Sequence, residues 1–295
     1  MYGFIVNKVS GNGRGMKIWR QIEKRLQEKN VSYCVRFTQK SKQATSFVNE
    51  LMKEEKAAVI VAVGGDGTIQ EVVNGLVGTK TPLGIIPAGS GNDFSRGLGI
   101  PKKLDQALER ILQGKPKLID IGYANSTYFC TVVGVGFDGE VAQTTNASIF
   151  KKLFNMIRMG HLSYLVSAIN VFIHYKPRDI SLMIDKKLYK IPKVWLIAVA
   201  NLPFYGGGII ICPKAESNDG LLDICIIQGM SKWEFVRTFP LVLKGNHVSS
   251  PNIKMIKGKE IEIYASSPLL VHGDGEIIGQ TPTKIRIEPR SLYVI

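Results

Sequence analysis

Ala57-Ala58-Val59-Ile60-Val61-Ala62-Val63-Gly64-Gly65-Asp66-Gly67-Thr68 sets how the rest of the chain is read. Small and β-branched apolar residues in a short run make a strand buried on both faces, and Gly-Gly-Asp-Gly ends it in a tight turn. From Thr68 to Val77, Ile69, Val72, Val73 and Leu76 fall at helical spacing, with Thr68 as the expected cap and Glu71 three residues on. The glycines therefore lie between a strand and a helix N-terminus. There the backbone can approach an anion closely, and the first-turn N–H groups point at it. Asp66 repels a bare phosphate, so the expected guest is a phosphate carrying a divalent cation. An ordinary strand-to-helix turn is the plain alternative.

The flanking chain repeats this logic. Tyr2 to Val6 reads as a strand running into a second glycine-rich loop, Asn7 to Gly15, before a helix from Met16 to Lys29 with Trp19, Ile22 and Leu26 on one face. Val31 to Thr38 is the next strand. Ser41 is the expected cap of a helix whose inner face is Ala44, Phe47, Val48 and Leu51. Leu83 to Ile86 is a short strand ending at Pro87, and the glycine-rich turn Pro87 to Phe94 follows it, placed on the same rim as Asp66. A helix from Lys103 to Leu112 and the segment Lys117 to Gly122 close the alternation. Strand alternating with helix predicts a parallel α/β sheet whose ligands sit outside the carboxyl ends of its strands.

Beyond Gly122 to Tyr128 the pattern changes to short strand-like runs: Tyr128 to Asp138, Ile180 to Asp185, Val194 to Asn201, Leu222 to Ile227, Glu260 to Ala265 and Lys284 to Glu288. Helical spacing is confined to Leu153 to Tyr175 and to Lys232 to Lys244, which Pro240 interrupts. Such a series predicts a β-rich sandwich or barrel. The expected domains are 1–125 (α/β) and 126–290 (β-rich), with 291–295 a terminal strand that can return to the first. Two stretches of the second domain carry candidate chemistry. Glu216-Ser217-Asn218-Asp219-Gly220-Leu221-Leu222-Asp223 reads equally as a hairpin turn and as a metal site built on Asp219 and nearby carbonyls. Leu270-Val271-His272-Gly273-Asp274-Gly275-Glu276 reads as a β-turn or as the mount of a general base, Glu276. His272 reads as a structural neighbour, and the four histidines show no zinc spacing.

Thirty-eight Lys and Arg against 24 Asp and Glu give a net charge of +14, which reads either as a basic surface with no partner implied or as attraction to something anionic, nucleic acid or an acidic membrane face. Nucleic acid is the weaker case, since no basic run is interleaved with aromatics. Cys34, Cys130, Cys212 and Cys225 form no C-x-x-C pair and read as buried, reduced thiols of a cytoplasmic protein. A strand beginning at Tyr2 leaves no room for a signal peptide. The apolar stretch Leu162 to Tyr175 is shorter than a spanning helix and reads as packed core before lipid contact.

Gly64-Gly65-Asp66-Gly67-Thr68, Ile86-Pro87-Ala88-Gly89-Ser90-Gly91-Asn92-Asp93-Phe94, Asn218-Asp219-Gly220-Leu221-Leu222-Asp223 and Asp274-Gly275-Glu276, in that order, resemble the motifs of the bacterial diacylglycerol kinase and lipid kinase family. The resemblance spans nearly the whole chain. It implies an NAD kinase-like nucleotide-binding α/β domain, a β-rich sandwich domain, and transfer of the ATP γ-phosphate to a lipid hydroxyl in phospholipid biosynthesis. Carried over by position, ATP would be held by Asn7, Ser10, Gly11, Thr38, Gly64, Gly65, Asp66, Gly67, Thr68, Ile69, Gln70, Gly89, Ser90 and Asn92. Asp66, Asp93 and Asp120 would surround the Mg2+ of Mg-ATP. Glu216, Asp219 and the Leu221 carbonyl would bind a second, structural Mg2+, and Glu276 would accept the proton. Two positions depart from the family pattern: Lys8 replaces a usual proline, which leaves the first loop's role open, and Ser90 replaces a common threonine but keeps the hydroxyl.

The implied partners are ATP, a lipid alcohol and an anionic membrane surface visited peripherally from the cytoplasmic side. A homodimer is left open, and no nucleic acid is expected. An NAD kinase-like enzyme and a non-catalytic nucleotide or lipid sensor are the rival readings.

Overall fold

Phe4, Ile5 and Val6, and Ile60 to Val63, are wholly buried, so both faces of these strands are covered and no polar alternation is seen. The structure is a computed structural model and describes residues 1–147 and 160–295. It divides into two units, 1–121 with 289–295, and 122–288.

In the first unit the elements are β1 (Tyr2–Asn7), α1 (Ser10–Glu28), β2 (Tyr33–Thr38), α2 (Gln43–Lys53), β3 (Val59–Gly64), α3 (Asp66–Leu76), β4 (Leu83–Pro87), α4 (Asp93–Gly97), α5 (Leu104–Gln113) and β5 (Lys117–Ala124), whose last residues pass into the second unit. Strands run parallel in the order β2-β1-β3-β4. Helices α1 and α5 cover the face carrying Phe4, Val6, Val61 and Val63, with Trp19, Ile22 and Leu26 turned inward as their spacing predicts. The first turn of α1 is broken by Gly11, Asn12 and Gly13, all at left-handed φ (57°, 58° and 83°). Regular helix thus resumes about where Met16 is expected to begin it. Along the free edge of β4, Val294 pairs in parallel with Leu83, and Gly78 N–H donates to the Ser291 carbonyl (2.9 Å).

Neither expected cap forms. Helix α3 starts at Asp66 behind Gly65 with no side-chain cap, so Thr68 lies inside its first turn. Ser41 does not cap α2 either, because Glu71 of α3 does. Its carboxylate accepts from Lys42 N (2.7 Å) and Ala44 N (3.0 Å) and from the Ser41 hydroxyl (3.3 Å). A carboxylate answers the orphan donors and positive end of α2 better than a hydroxyl.

The second unit contains β6 (Thr127–Phe129), β7 (Val132–Gly136), α6 (Phe137–Ala147), α7 (Gly160–His174), β8 (Arg178–Ile184), β9 (Lys187–Ala200), β10 (Phe204–Tyr205), β11 (Ile209–Ile210), β12 (Leu222–Gln228), α8 (Lys232–Leu243), β13 (Ile253–Gly258), β14 (Glu260–Ala265), β15 (Leu270–Gly273), β16 (Glu276–Gln280) and the first half of β17 (Thr283–Val294). Neighbouring strands pair antiparallel, in the order β16-β15-β7-β9-β8-β14-β17, with β12 between β9 and β13. Period-2 alternation sends Val133, Val135, Ile197, Val199, Ile224 and Ile226 into one core. Val132, Trp195, Ala198, Cys225 and Ile227 enter a second core that also holds Phe137, Val171 and Phe235 of α6, α7 and α8. The run expected as one strand from Tyr128 to Asp138 is two strands and a helix start: Phe137 and Asp138 open α6. Of the helical spacing read from Leu153 to Tyr175, residues 153 to 159 lie outside the described residues.

Candidate functional site

In the first unit β1, β3 and β4 end side by side at Asn7, Gly64 and Pro87, and the turn after each meets the others. Glycine makes this possible. A Cβ on Gly89 would stand 2.5 Å from the Gly65 Cα, one on Gly11 2.3 Å from the Ala88 carbonyl oxygen, and one on Gly64 2.6 Å from the Thr68 Cβ. Ala88 N–H donates to the Gly64 carbonyl (2.8 Å), and Asn92, at φ 54°, closes its own turn by accepting from Gly89 N (3.0 Å) and donating to Gly89 O (2.9 Å). Across the rim, Asn7 Nδ2 donates to Thr68 Oγ1 (3.0 Å), and Asp66 Oδ1 accepts from Phe94 N (3.3 Å).

The first intrahelical bond of α3 runs from Ile69 N to Gly65 O (3.0 Å), so the amides of Asp66, Gly67 and Thr68 precede the ladder and face the rim. Half-buried Asp66 stands among them. Ile69 itself offers a ligand nothing: its side chain is fully buried and its amide is spent on Gly65. Gln70 is likewise buried. Beside the rim runs a groove lined by Asn7, Lys8, Thr38, Lys40, Thr68 and Glu71. Lys8, the departure from the family pattern, thus lies on the groove, with its ammonium 4.9 Å from the Phe37 ring centre.

The three carboxylates expected around Mg2+ have different surroundings. Asp93 opens α4 and is ion-paired with Arg96, whose Nη2 also donates to the Gly91 carbonyl (3.0 Å). Asp120 is buried on β5 and accepts from Arg290 N (2.7 Å). Among the described residues, no three Asp, Glu, His or Cys side chains converge as a metal centre. A cation arriving with nucleotide phosphates brings its own oxygen ligands, so the rim, not a cage of carboxylates, is the structure that fits it.

Glu276 is exposed and begins β16, paired across the hairpin with Gly273. Asp274 and Gly275 form the two-residue turn with φ of 50° and 90°, the left-handed pair a tight hairpin requires. The Asp274 carboxylate ties this turn to the chain before β7. It accepts from Cys130 N (2.6 Å), Thr131 N (2.8 Å), Val132 N (3.2 Å) and the Thr131 hydroxyl (2.5 Å). His272 supports the same turn from below. Gly275 N–H donates to Nδ1 (3.3 Å), which puts the proton on Nε2, 3.3 Å from Asp138 Oδ2. Both side chains are buried, and Gly134 makes their room: a Cβ there would lie 2.0 Å from Asp138 Oδ2 and 2.2 Å from His272 Nε2. Sequence reading took His272 as a structural neighbour but could not name its partner, since Asp138 is 134 residues away.

Asp138 also borders an apolar pocket whose walls include Phe137, Leu196, Tyr205, Ile209, Phe235 and Phe239. Strands β9 to β12 and helices α6, α7 and α8 all contribute to its walls.

At the expected second cation site, Glu216 is exposed and the segment is a turn leading into β12, not a hairpin between two strands. Lys257 of β13, opposite Asp223 in register, puts its ammonium 2.8 Å from Asp219 Oδ2 and 3.3 Å from Asp223 Oδ2. Asp219 Oδ1 accepts from Leu221 N (3.0 Å). Its hydrogen bond to Asp219 raises the Lys257 pKa, and burial raises that of Asp223. A tethered cation therefore stands where the second magnesium is expected, and Glu216, Asp219 and Leu221 do not fit a divalent ion while it is there.

A parallel α/β unit with meeting glycine turns, followed by a sheet unit of the sandwich type, is the architecture of the lipid kinases. Residues 131–295, more than half of the chain, match the family described as YegS C-terminal NAD kinase beta sandwich-like domain, and residues 1–124 match the diacylglycerol kinase catalytic domain. The chain belongs to the diacylglycerol kinase and lipid kinase family. It is 29% identical to the diacylglycerol kinase of Mycobacterium tuberculosis (strain H37Rv), over 99% of this chain and 93% of that protein. Identity to the diacylglycerol kinase of Bacillus subtilis (strain 168) is also 29%, over 99% and 94%. A solved structure from Bacillus anthracis str. Sterne superposes with a TM-score of 0.82 at 26% identity, covering 100% of this chain and 94% of that one.

Proposed function

We propose that this chain is an ATP-dependent lipid kinase. The first unit binds Mg-ATP, with the triphosphate against the Gly11, Gly65 and Gly89 turns and the α3 amides. The second unit takes the greasy part of a lipid alcohol and supplies Glu276 as proton acceptor. The observation that carries the reading is the rim, where backbone donors, not side chains, line the space a triphosphate needs. Phosphoryl transfer asks the protein for positioning, charge neutralisation and a base for the incoming hydroxyl. Asn7, Thr68 and Asn92 position the turns, and Lys8 and Lys40 add positive charge on the groove. Asp66 faces the cation that accompanies the nucleotide. Exposed Glu276 sits on a hairpin that Asp274 and His272 hold in one shape, which a base needs if it is to meet a hydroxyl at hydrogen-bond distance. A diacylglycerol is the proposed acceptor, its free hydroxyl offered to Glu276.

Labelled ATP offered with a panel of short-chain diacylglycerol, phosphatidylglycerol, a sphingoid base, a polyprenol and NAD tests the reading. Label is expected in diacylglycerol. Label in NAD alone, or in no acceptor, overturns it.

A further inference from the structure

Two helices of the second unit pack one face and leave the other apolar face in solvent. On α7 Val171 is buried, as is Tyr175 just past its end, while Val166, Ile169 and Ile173 are 47%, 53% and 58% exposed. Spacing of three and four residues puts those three on one stripe. On α8, Phe235 and Val242 are buried, while Trp233 is 77% exposed and Val236 and Leu243 lie open beside it. The helices join where Lys232 Nζ donates to the Ile173 carbonyl (2.5 Å) and Phe172 stacks on Phe235 (5.9 Å).

Charge on this surface has one sign. Helix α7 contains no acidic residue, and α8 contains only Glu234, whose carboxylate is turned back onto Ser231 N and Oγ (2.7 Å each) as a capping box. Lys232 and Arg237 are exposed along α8, and Lys244 at its C-terminal end. Aliphatic side chains and a tryptophan flanked by cations, with the acid withdrawn, is the composition of a helix lying in the headgroup region of an anionic bilayer. A protein partner rich in acidic residues would answer the charge but not seven apolar side chains, among them Leu241. Half-exposed Phe239 belongs both to this face and to the wall of the apolar pocket, so a lipid held here lies beside that pocket.

We propose that the outer faces of α7 and α8 form the membrane-docking surface of the protein, occupied by an anionic phospholipid bilayer; the link to the pocket rests on the lipid-kinase reading, the docking itself does not. Trp19 and Trp195 are 1% exposed, so emission changes on docking report Trp233. The full chain is mixed with vesicles of phosphatidylglycerol and phosphatidylcholine (1:1) and with phosphatidylcholine alone, following tryptophan emission and co-sedimentation. A blue shift and sedimentation with the anionic vesicles are expected. Trp233→Ser should weaken binding at least about tenfold, and Arg237→Gln with Lys244→Gln about 25-fold together. Ile169→Ser, on the other helix, should weaken it as well. Melting curves matching the parent's establish that these surface variants fold, and turnover of a water-dispersed short-chain diacylglycerol should be unchanged in them. Undiminished vesicle binding by all variants overturns the proposal, as does a blue shift that grows with protein concentration without vesicles, the mark of a second copy on this face. Vesicle binding that depends on Trp233 in a protein that phosphorylates no lipid sustains the docking surface and removes the kinase reading instead.

Discussion

Asp274 accepts four hydrogen bonds from residues 130–132 so that Glu276, two positions on, has a fixed mount. Its position in a turn was readable from Asp-Gly, but its partners were not, because they depend on a contact across 142 to 144 residues. Ile69 shows the converse limit: counted along the motif it belongs with the phosphate loop, yet helical periodicity already assigns its side chain to the core. Buried titratable groups set the pH response. His247 is fully buried, with Nε2 2.9 Å from the Ile211 carbonyl, and burial lowers its pKa below 6.5. The unfolded chain then binds the proton first, so stability is full above pH 6.5 and falls as pH drops toward the folded-state value, by at most about 1.4 kcal/mol per pH unit. Urea unfolding between pH 7 and about 5.5 should show this slope, and His247→Asn should flatten it. Nearby Cys225 is pushed up to about 12 by burial, which keeps it a thiol.

Strands and helices were readable wherever one face differs from the other or a glycine turn punctuates the chain. That covers β1 to β4 and the helices between them. Elements were lost where the pattern misled: the apolar run after Tyr128 hides the start of α6, and lysines at 254 and 257, three apart and so on opposite faces of a strand, break the period-2 alternation of β13. The caps failed for a related reason. Thr68 and Ser41 satisfy local rules, but a carboxylate from a neighbouring helix was the stronger partner for α2. Lys257 on β13 gives the same lesson at the turn before β12, where local residues suit a cation and the opposite strand brings one. Chelator should therefore leave the melting temperature unchanged. Lys257→Met should lower it, because nearly buried Asp223 loses its counter-charge, and millimolar Mg2+ should restore part of the loss. A wild-type protein destabilised by chelator would show that a metal, not Lys257, holds this turn.

The whole chain assigns its chemistry unevenly. Glycines and backbone amides dominate the first unit's rim, whereas the second unit holds an apolar pocket, a braced carboxylate and an open apolar helix pair. The net charge of +14 suits both a polyphosphate and an anionic lipid surface, and it makes association with either weaken as salt rises. Among the described residues no helix is long and apolar enough to cross a membrane. Family membership was legible because four short motifs keep their order; the apolar pocket was not, because its residues, Phe137, Tyr205 and Phe235 among them, come from distant segments. The measurement that reaches the central claim most directly is the rate of γ-phosphate transfer to dispersed diacylglycerol by wild type and Glu276→Gln at saturating ATP. The account predicts a fall of about two to four orders of magnitude, with nucleotide-dependent thermal stabilisation retained. An unchanged rate in Glu276→Gln would contradict it.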